Sequence, residues 1–181
     1  MVEQSSIYVR PVSLDDLKHS KTAKAVINAA YRSQGGWTTE EHIVSGERVT
    51  IEDVDKAVKT SGGSTTLLYA FDRSGDVDIV VGTLQIQADE HNSEEAELGL
   101  FSVNPAYQSQ GIGGKLIRAA FDKMKELGYS KAVIHVLENR PEILGWYRKI
   151  GFVDTGEKVP FIWPEQLKIK DLHFLVLKKD L

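Results

Sequence analysis

The chain of 181 residues has no cysteine. That removes a thiol nucleophile, a disulfide framework and thiolate zinc sites. The five histidines, at 19, 42, 91, 135 and 173, stand far apart with no HExxH or comparable spacing, so no metal site is expected. No apolar run approaches the roughly 18 residues of a membrane span, and the opening MVEQSSIYVR lacks an apolar signal core. Basic stripes are missing too. The 22 Lys and Arg are scattered, apart from Lys178-Lys179, and 26 Asp and Glu outnumber them to a net charge of −4. A nucleic-acid or membrane partner is therefore not expected. A soluble cytoplasmic protein is the expectation, with the nucleus as the alternative.

What is present is ordinary globular composition, 41% hydrophobic and 27% charged. This length favours one domain over 1–181, able to bury roughly 70% of its unfolded surface without disulfide or metal.

SIYVRPV is β-branched and aromatic up to Pro11 and predicts a first strand. Ser13 suits an N-cap, and apolar residues from Leu14 to Ala30 predict a helix ending near Tyr31. SQGGWTTEE is a glycine loop, after which Thr38 and Glu41 fit a capping box for a short helix over Glu40–Val44. Thr50 with Asp53 repeats that signature for a helix whose Ile51, Val54 and Val58 share a face. STTLLYAFD, VDIVVGTLQIQA and AELGLFSV, separated by polar turns, predict an antiparallel run. Ile112, Leu116, Ala120, Met124 and Leu127 then recur at helical spacing, closed by Gly128. KAVIHVL is nearly all apolar, as in a strand buried on both faces, and strand–helix–strand here predicts a right-handed parallel crossover. A helix from Pro141 to Ile150 and two strands, GFVDTGEKV and DLHFLVLK, complete the chain.

The stretch YQSQGIGGKL opens the central helix with three glycines in four residues. Each costs about 0.5–1 kcal/mol against alanine. A helix N-terminus offers unpaired N–H groups and about half a positive charge, and glycines let an anion reach them. The physical reading is a phosphate or pyrophosphate site made of backbone. A P-loop fails at Ser109 and Leu116, and G-x-G-x-x-G fails at Leu116.

What fits is Gln/Arg-x-x-Gly-x-Gly/Ala, at Gln108, Gly111 and Gly113. With its flanks AELGLFSVNPAYQSQGIGGKL, and with WYRKIGF downstream, the chain resembles the GNAT superfamily of N-acetyltransferases. The likeness runs from about Ile7 to the end and is strongest over 96–152. It implies an α/β (α+β) GNAT-like fold: a mixed, mostly antiparallel sheet of about seven strands, a parallel strand–helix–strand crossover at its centre, and about four to five flanking helices. It implies acetyl-CoA (coenzyme A) as cofactor and direct attack of a neutral amine on the thioester, without an acyl-enzyme.

The resemblance also assigns roles. Backbone N–H groups of Gln108, Ser109, Gln110, Gly111, Ile112, Gly113 and Gly114 would hold the pyrophosphate, with Lys115 adding charge at the entrance. The Phe101 N–H would polarise the thioester carbonyl, while Ser102 and Val103 offer backbone edges to the pantetheine arm. Many members of the family carry an asparagine seven residues before the tyrosine, contacting the pantetheine arm; here that place is Arg140 and Asn139 lies one further back, so the resemblance implies one or the other as the cofactor contact. Glu97 is the candidate base and a substrate contact. Strand alternation places Glu97, Gly99, Phe101 and Val103 on one face, and burial would make Glu97 a better proton acceptor near neutral pH. Tyr147 is the candidate acid for the leaving thiolate. Trp37, in the loop where this fold places its acceptor lid, is a substrate contact. His135 reads as a core histidine. Phe161 and Trp163 either wall the acceptor pocket or cover a homodimer contact.

The leading expectation is an acetyl-CoA-dependent N-acetyltransferase of a small amine or an amino acid. A protein lysine or N-terminal acetyltransferase is the nearer alternative, and a non-catalytic acyl-CoA-binding sensor module the more distant one.

Overall fold

The computed structural model describes residues 6–34 and 36–181; residues 1–5, and Gly35 of the glycine loop, lie outside the described residues. Seven strands, among the described residues, form one sheet in the order β1-β2-β3-β4-β5-β7-β6. They are β1 (Ile7–Pro11), β2 (Thr65–Asp72), β3 (Ile79–Ala88), β4 (Glu95–Val103), β5 (Lys131–Leu137), β6 (Val153–Pro160) and β7 (His173–Asp180). The helices are α1 (Ser20–Arg32), α2 (Ile51–Thr60), α3 (Ile112–Glu126) and α4 (Pro141–Lys149). Every strand pair is antiparallel except β4 with β5, which α3 connects as a parallel crossover.

Helices α1, α2 and α3 each bury an apolar stripe, although Ala25 and Leu127, expected among the buried positions, are exposed. On α3, Ile112, Leu116, Ala120 and Met124 sink into one core with Leu84, Ile86, Leu98, Ile134 and Leu177 of the sheet. Gly82 of β3 makes room for this. A Cβ there would stand 2.9 Å from Leu116 Cδ1 and 2.9 Å from the Ser102 carbonyl. Leu127 is half exposed, because the helix has ended and Gly128 has turned to φ +89°. On the opposite face, α1 and α2 cover Leu67, Tyr69, Phe71 and Val80 with Ala23, Ile27, Val54 and Val58.

Two caps hold as their residue types dictate. Thr50 Oγ1 accepts from the Asp53 N–H at 3.2 Å while Asp53 accepts from the Thr50 N–H at 2.8 Å. After Ser13 the chain makes a 3₁₀ turn over Leu14–His19 before α1 begins. There Asp16 accepts from the Ser13 N–H at 2.7 Å and from both Arg10 terminal nitrogens, at 2.7 and 2.9 Å.

The expected helix over Glu40–Val44 does not form. Thr38 Oγ1 donates to the Ala30 carbonyl at 2.9 Å instead of capping, and the segment is a turn. Tertiary pairing decides this. Val44 bridges Leu167, the Ser45 N–H donates to the Gln166 carbonyl at 2.8 Å, and the Lys168 N–H donates to the Ile43 carbonyl at 2.8 Å. Ile43, Val44, Leu137 and Phe161 thereby make a third small core, joining the α1–α2 segment to the long β6–β7 connection.

Candidate active site

The site begins where the sheet fails to close. β4 and β5 pair only over Glu95–Glu97 and Lys131–Val133, then part. Both keep their outer partners beyond that point, β3 and β7. The gap between them widens into a cleft of about 410 Å³, in the range of small-molecule pockets.

A bulge in β4 shapes its wall. Between the pairs Gln85–Gly99 and Thr83–Ser102 the strand carries an extra residue, and Leu100 stands at φ +45°. The insertion switches the side-chain pattern. Ala96 and Leu98 pack on the α3 core, Leu100 on the α1–α2 core, and Phe101 and Val103 on the α3 core again. Glu97 and Phe101 therefore lie on opposite faces, which corrects the expectation that simple alternation puts them together. The bulge is pinned by Thr83, whose hydroxyl donates to the Leu100 carbonyl at 2.5 Å and pairs with the Ser102 hydroxyl at 2.7 Å.

The glycine turn closes one end of the cleft. Ser109 and Gly111 both take left-handed backbone, φ +66° and +79°, and Gly111 is the N-cap of α3. A Cβ on Gly111 would meet nothing within 4 Å, so open space lies in front of this turn. A Cβ on Gly113 would rest 3.6 Å from the Phe101 ring, and one on Gly114 would stand 3.1 Å from the Arg118 guanidinium. Phe101, Ser102, Val103, Gln108, Ser109, Gly111, Ile112, Gly113 and Gly114 all line the cleft. Gln110 and Lys115 do not; the Lys115 ammonium donates to the Ile7 carbonyl at 3.1 Å. Arg118, placed by sequence only on the polar side of α3, is the cation beside the turn.

Tyr147 lines the cleft from α4, held edge-on by Trp146 at 5.1 Å and Phe152 at 5.5 Å. Burial, and then the nearby Tyr31, push its phenol far above the ordinary range, so it stays protonated. Tyr31, at the end of α1, lines the same cleft and is shifted up by burial; the Arg48 charge and, more weakly, the Phe101 N–H on its oxygen act in the opposite sense. Sequence reading passed over Tyr31 as a site residue, although it lies two residues before the glycine loop.

The other wall is the α1–α2 segment. Trp37 lines the cleft with 51% of its surface exposed. Its N–H donates to Gln108 Oε1 at 3.3 Å, and its carbonyl accepts from Arg140 Nη2 at 3.4 Å. Arg140 is only 4% exposed and lines the cleft, donating through Nε to Glu142 at 2.7 Å and standing 3.9 Å from Glu40. Its Nη1, the nitrogen nearest Glu40, is buried without a hydrogen-bond partner. Asn139 is exposed and outside the cleft. Phe161 stacks on Phe174 at 5.3 Å inside the third core and Trp163 is exposed, so neither walls the cleft.

Glu97 is also outside the lining. Its carboxylate is 46% exposed and bonds His135 Nδ1 at 2.6 Å. His135 does line the cleft, which corrects its reading as a core histidine. Its hydrogen bond to Glu97 raises its pKa above the ordinary histidine value, against the opposing effect of burial. Among the described residues no group of three His, Cys, Asp or Glu could hold a metal ion, and no helix is long and apolar enough to cross a membrane.

A sheet splayed between its one parallel pair, over a glycine-opened crossover helix, defines an acyltransferase-type fold. More narrowly, the chain belongs to the acetyltransferase (GNAT) family, whose sequence model matches residues 26–152. It is 27% identical to human N-acetyltransferase 8B over 131 residues, 71% of this chain and 56% of that protein. The chain spans about half the length of the curated human relatives it matches, 56% and 54%. Among solved structures, the GNAT acetyltransferase from Streptococcus pneumoniae superposes with a TM-score of 0.71 at 16% identity, covering 97% of this chain and 99% of that one. PaiA N-acetyltransferase from Thermoplasma acidophilum, in complex with coenzyme A, gives 0.68 at 19% identity, covering 97% and 99%. At these identities the likeness is one of fold.

Proposed function

We propose that this domain is an acetyl-CoA-dependent N-acetyltransferase acting on the primary amine of a small molecule or an amino acid. The observation that carries the reading is a single cleft onto which the glycine turn, the bulged Phe101 segment and Tyr147 all open. The open space before Gly111 fits a pyrophosphate gripped by the α3 N-terminus. Gln108, Ser109, Gly111, Ile112, Gly113 and Gly114 hold it through backbone, and Arg118 rather than Lys115 supplies the neighbouring positive charge. When bound, acetyl-CoA supplies the thioester as acyl donor.

The chain's own groups do the rest. The Phe101 N–H, once the Tyr31 oxygen gives it up to the thioester carbonyl, is the oxyanion donor, a role worth about 2.7–4 kcal/mol where such a donor has been removed. Ser102 and Val103 present backbone along the unpaired inner edge of β4. The Tyr147 phenol, held neutral by burial, donates its proton to the departing thiolate. Trp37, Tyr31 and Glu40 form the acceptor wall, and Arg140 braces it. Glu97 reaches the cleft only through His135.

A small acceptor is favoured over a protein lysine or N-terminus by the closure of the acceptor side. Residues 43–45 are hydrogen-bonded to 166–168, which joins the α1–α2 segment to the β6–β7 connection and leaves no open groove between them. Two measurements test the proposal. Coenzyme A at about 100 times Kd adds roughly 2.7 kcal/mol, a rise of about 5–10 °C at roughly 2–4 °C per kcal/mol, with none from NAD or ATP. Thiol release across amines, amino acids and peptides then identifies the acceptor. Binding without turnover on any of them would leave a sensor module instead.

A further inference from the structure

We propose that His135 takes the proton from the acceptor ammonium through Nε2, and that Glu97 is a positioning residue acting through it. The inference rests on the acetyltransferase reading above and names the atom that does the work. His135 lies two residues beyond Val133, where β4 and β5 part, so its ring stands at the apex of the cleft. Alternation on β5 sends Ile134 and Val136 into the α3 core and leaves Val133, His135 and Leu137 facing the acceptor segment. Glu97 is on that face too, but it does not line the cleft and its carboxylate is bonded to the His135 ring.

The ring is held on one side and open on the other. Nδ1–H donates to Glu97 Oε1 at 2.6 Å, which leaves the Nε2 lone pair as the acceptor in the neutral form. Phe174 of β7 packs edge-on at 6.3 Å and fixes the ring plane. Nε2 has no hydrogen-bond partner among the described residues and is not sealed from solvent. The charged groups acting on the imidazole are Glu97 on β4 and Glu157 on β6, and both favour its charged form. Against the opposing effect of burial, its titration thus moves up from the ordinary histidine value, which makes Nε2 a stronger proton acceptor.

The protons balance. The attacking nitrogen forms its bond to the acyl carbon as the carbon–sulfur bond breaks, and it sheds two protons in becoming the amide. One leaves through His135 Nε2 to solvent. The other replaces the proton that Tyr147 gives to the thiolate.

Three proteins test this: wild type, His135→Gln and Glu97→Gln. In the ligand-free proteins, the imidazole nitrogens are titrated by NMR; His135 is expected to titrate above 6.5 in wild type and lower in Glu97→Gln. With the acceptor found in the amine panel, kcat/KM should fall at least about 10²-fold in His135→Gln, with the acid limb of the pH profile gone. Glu97→Gln should lose a smaller factor and move that limb to lower pH. Both variants should keep a wild-type coenzyme A thermal shift, which separates lost chemistry from lost folding. If His135→Gln keeps the acid limb and Glu97→Gln abolishes it, Glu97 is itself the base and the proposal fails. If no amine releases thiol from wild type, the acetyltransferase reading fails; an unmoved His135 titration in Glu97→Gln would overturn the pair by itself.

Discussion

The two walls of the cleft are built on different principles. On the proposed assignment, the coenzyme wall is backbone from one stretch, Phe101 to Gly114, set by a bulge and a glycine turn. The acceptor wall is side chains from separate elements: Tyr31 from α1, Trp37 and Glu40 from the following segment, His135 from β5 and Arg140 from the start of α4. A site made of main chain is rigid and indifferent to most substitutions, because its chemistry is the peptide group. A site made of scattered side chains can be revised one residue at a time. In the proposed reaction the difference makes the donor the fixed half and the acceptor the adjustable half.

Breaking the backbone wall should have the largest effect. Gly111→Val puts a β-branched residue at φ +79° and fills the space before the turn. The strain is about 1–3 kcal/mol, so the variant should fold with a Tm only several degrees lower at about 2–4 °C per kcal/mol. Its coenzyme A thermal shift should vanish. A normal shift would mean that the turn is not the pyrophosphate site. Next comes Tyr147→Phe, between the walls: kcat should fall about 10²-fold or more while calorimetry shows coenzyme A affinity near wild type.

Arg140→Met sharpens the division. If Arg140 braces the acceptor wall, acceptor KM should rise about tenfold, some 1.4 kcal/mol, with the coenzyme A shift preserved. A reduced shift would move Arg140 to the coenzyme wall. The smallest effect lies away from both. Arg10 holds the buried Asp16 carboxyl below its usual range. A depressed carboxylate contributes stability that is present above its unfolded value, near 3.9, and lost as pH falls through the folded value. Asp16→Asn should therefore cost about 2 kcal/mol near neutrality. Its Tm should also fall less steeply than wild type below about pH 4, with catalysis unchanged.

The same contrast explains what could be read in the sequence. Gly111, Gly113 and Gly114 announce the coenzyme wall because a contiguous backbone site must be written contiguously. The α3 stripe of Ile112, Leu116, Ala120 and Met124 was legible for the same reason, being a local period. The β4 bulge was not. Leu100 carries the positive φ, one residue after the glycine that would have signalled it, so Glu97 was placed on the wrong face relative to Phe101. His135 and Glu97 are 38 residues apart and meet only because β4 and β5 are neighbours. Thr38 and Glu41 matched a capping box whose hydroxyl the fold spends on Ala30. Lys115 has the right charge at the right place in sequence, yet its stem leads to β1, and Arg118, one turn later, lies against Gly114.

The three-rung seam between β4 and β5 has a mechanical consequence. Past it, two inner strand margins run side by side with peptide groups unmatched across the gap, like a zip stopped partway. A guest that brings its own amides, as the pantetheine arm does, would supply the missing rungs and become an eighth, temporary strand. The donor would then be a structural member of the sheet for as long as it stays, and its departure would loosen the middle of the protein, not merely empty a pocket.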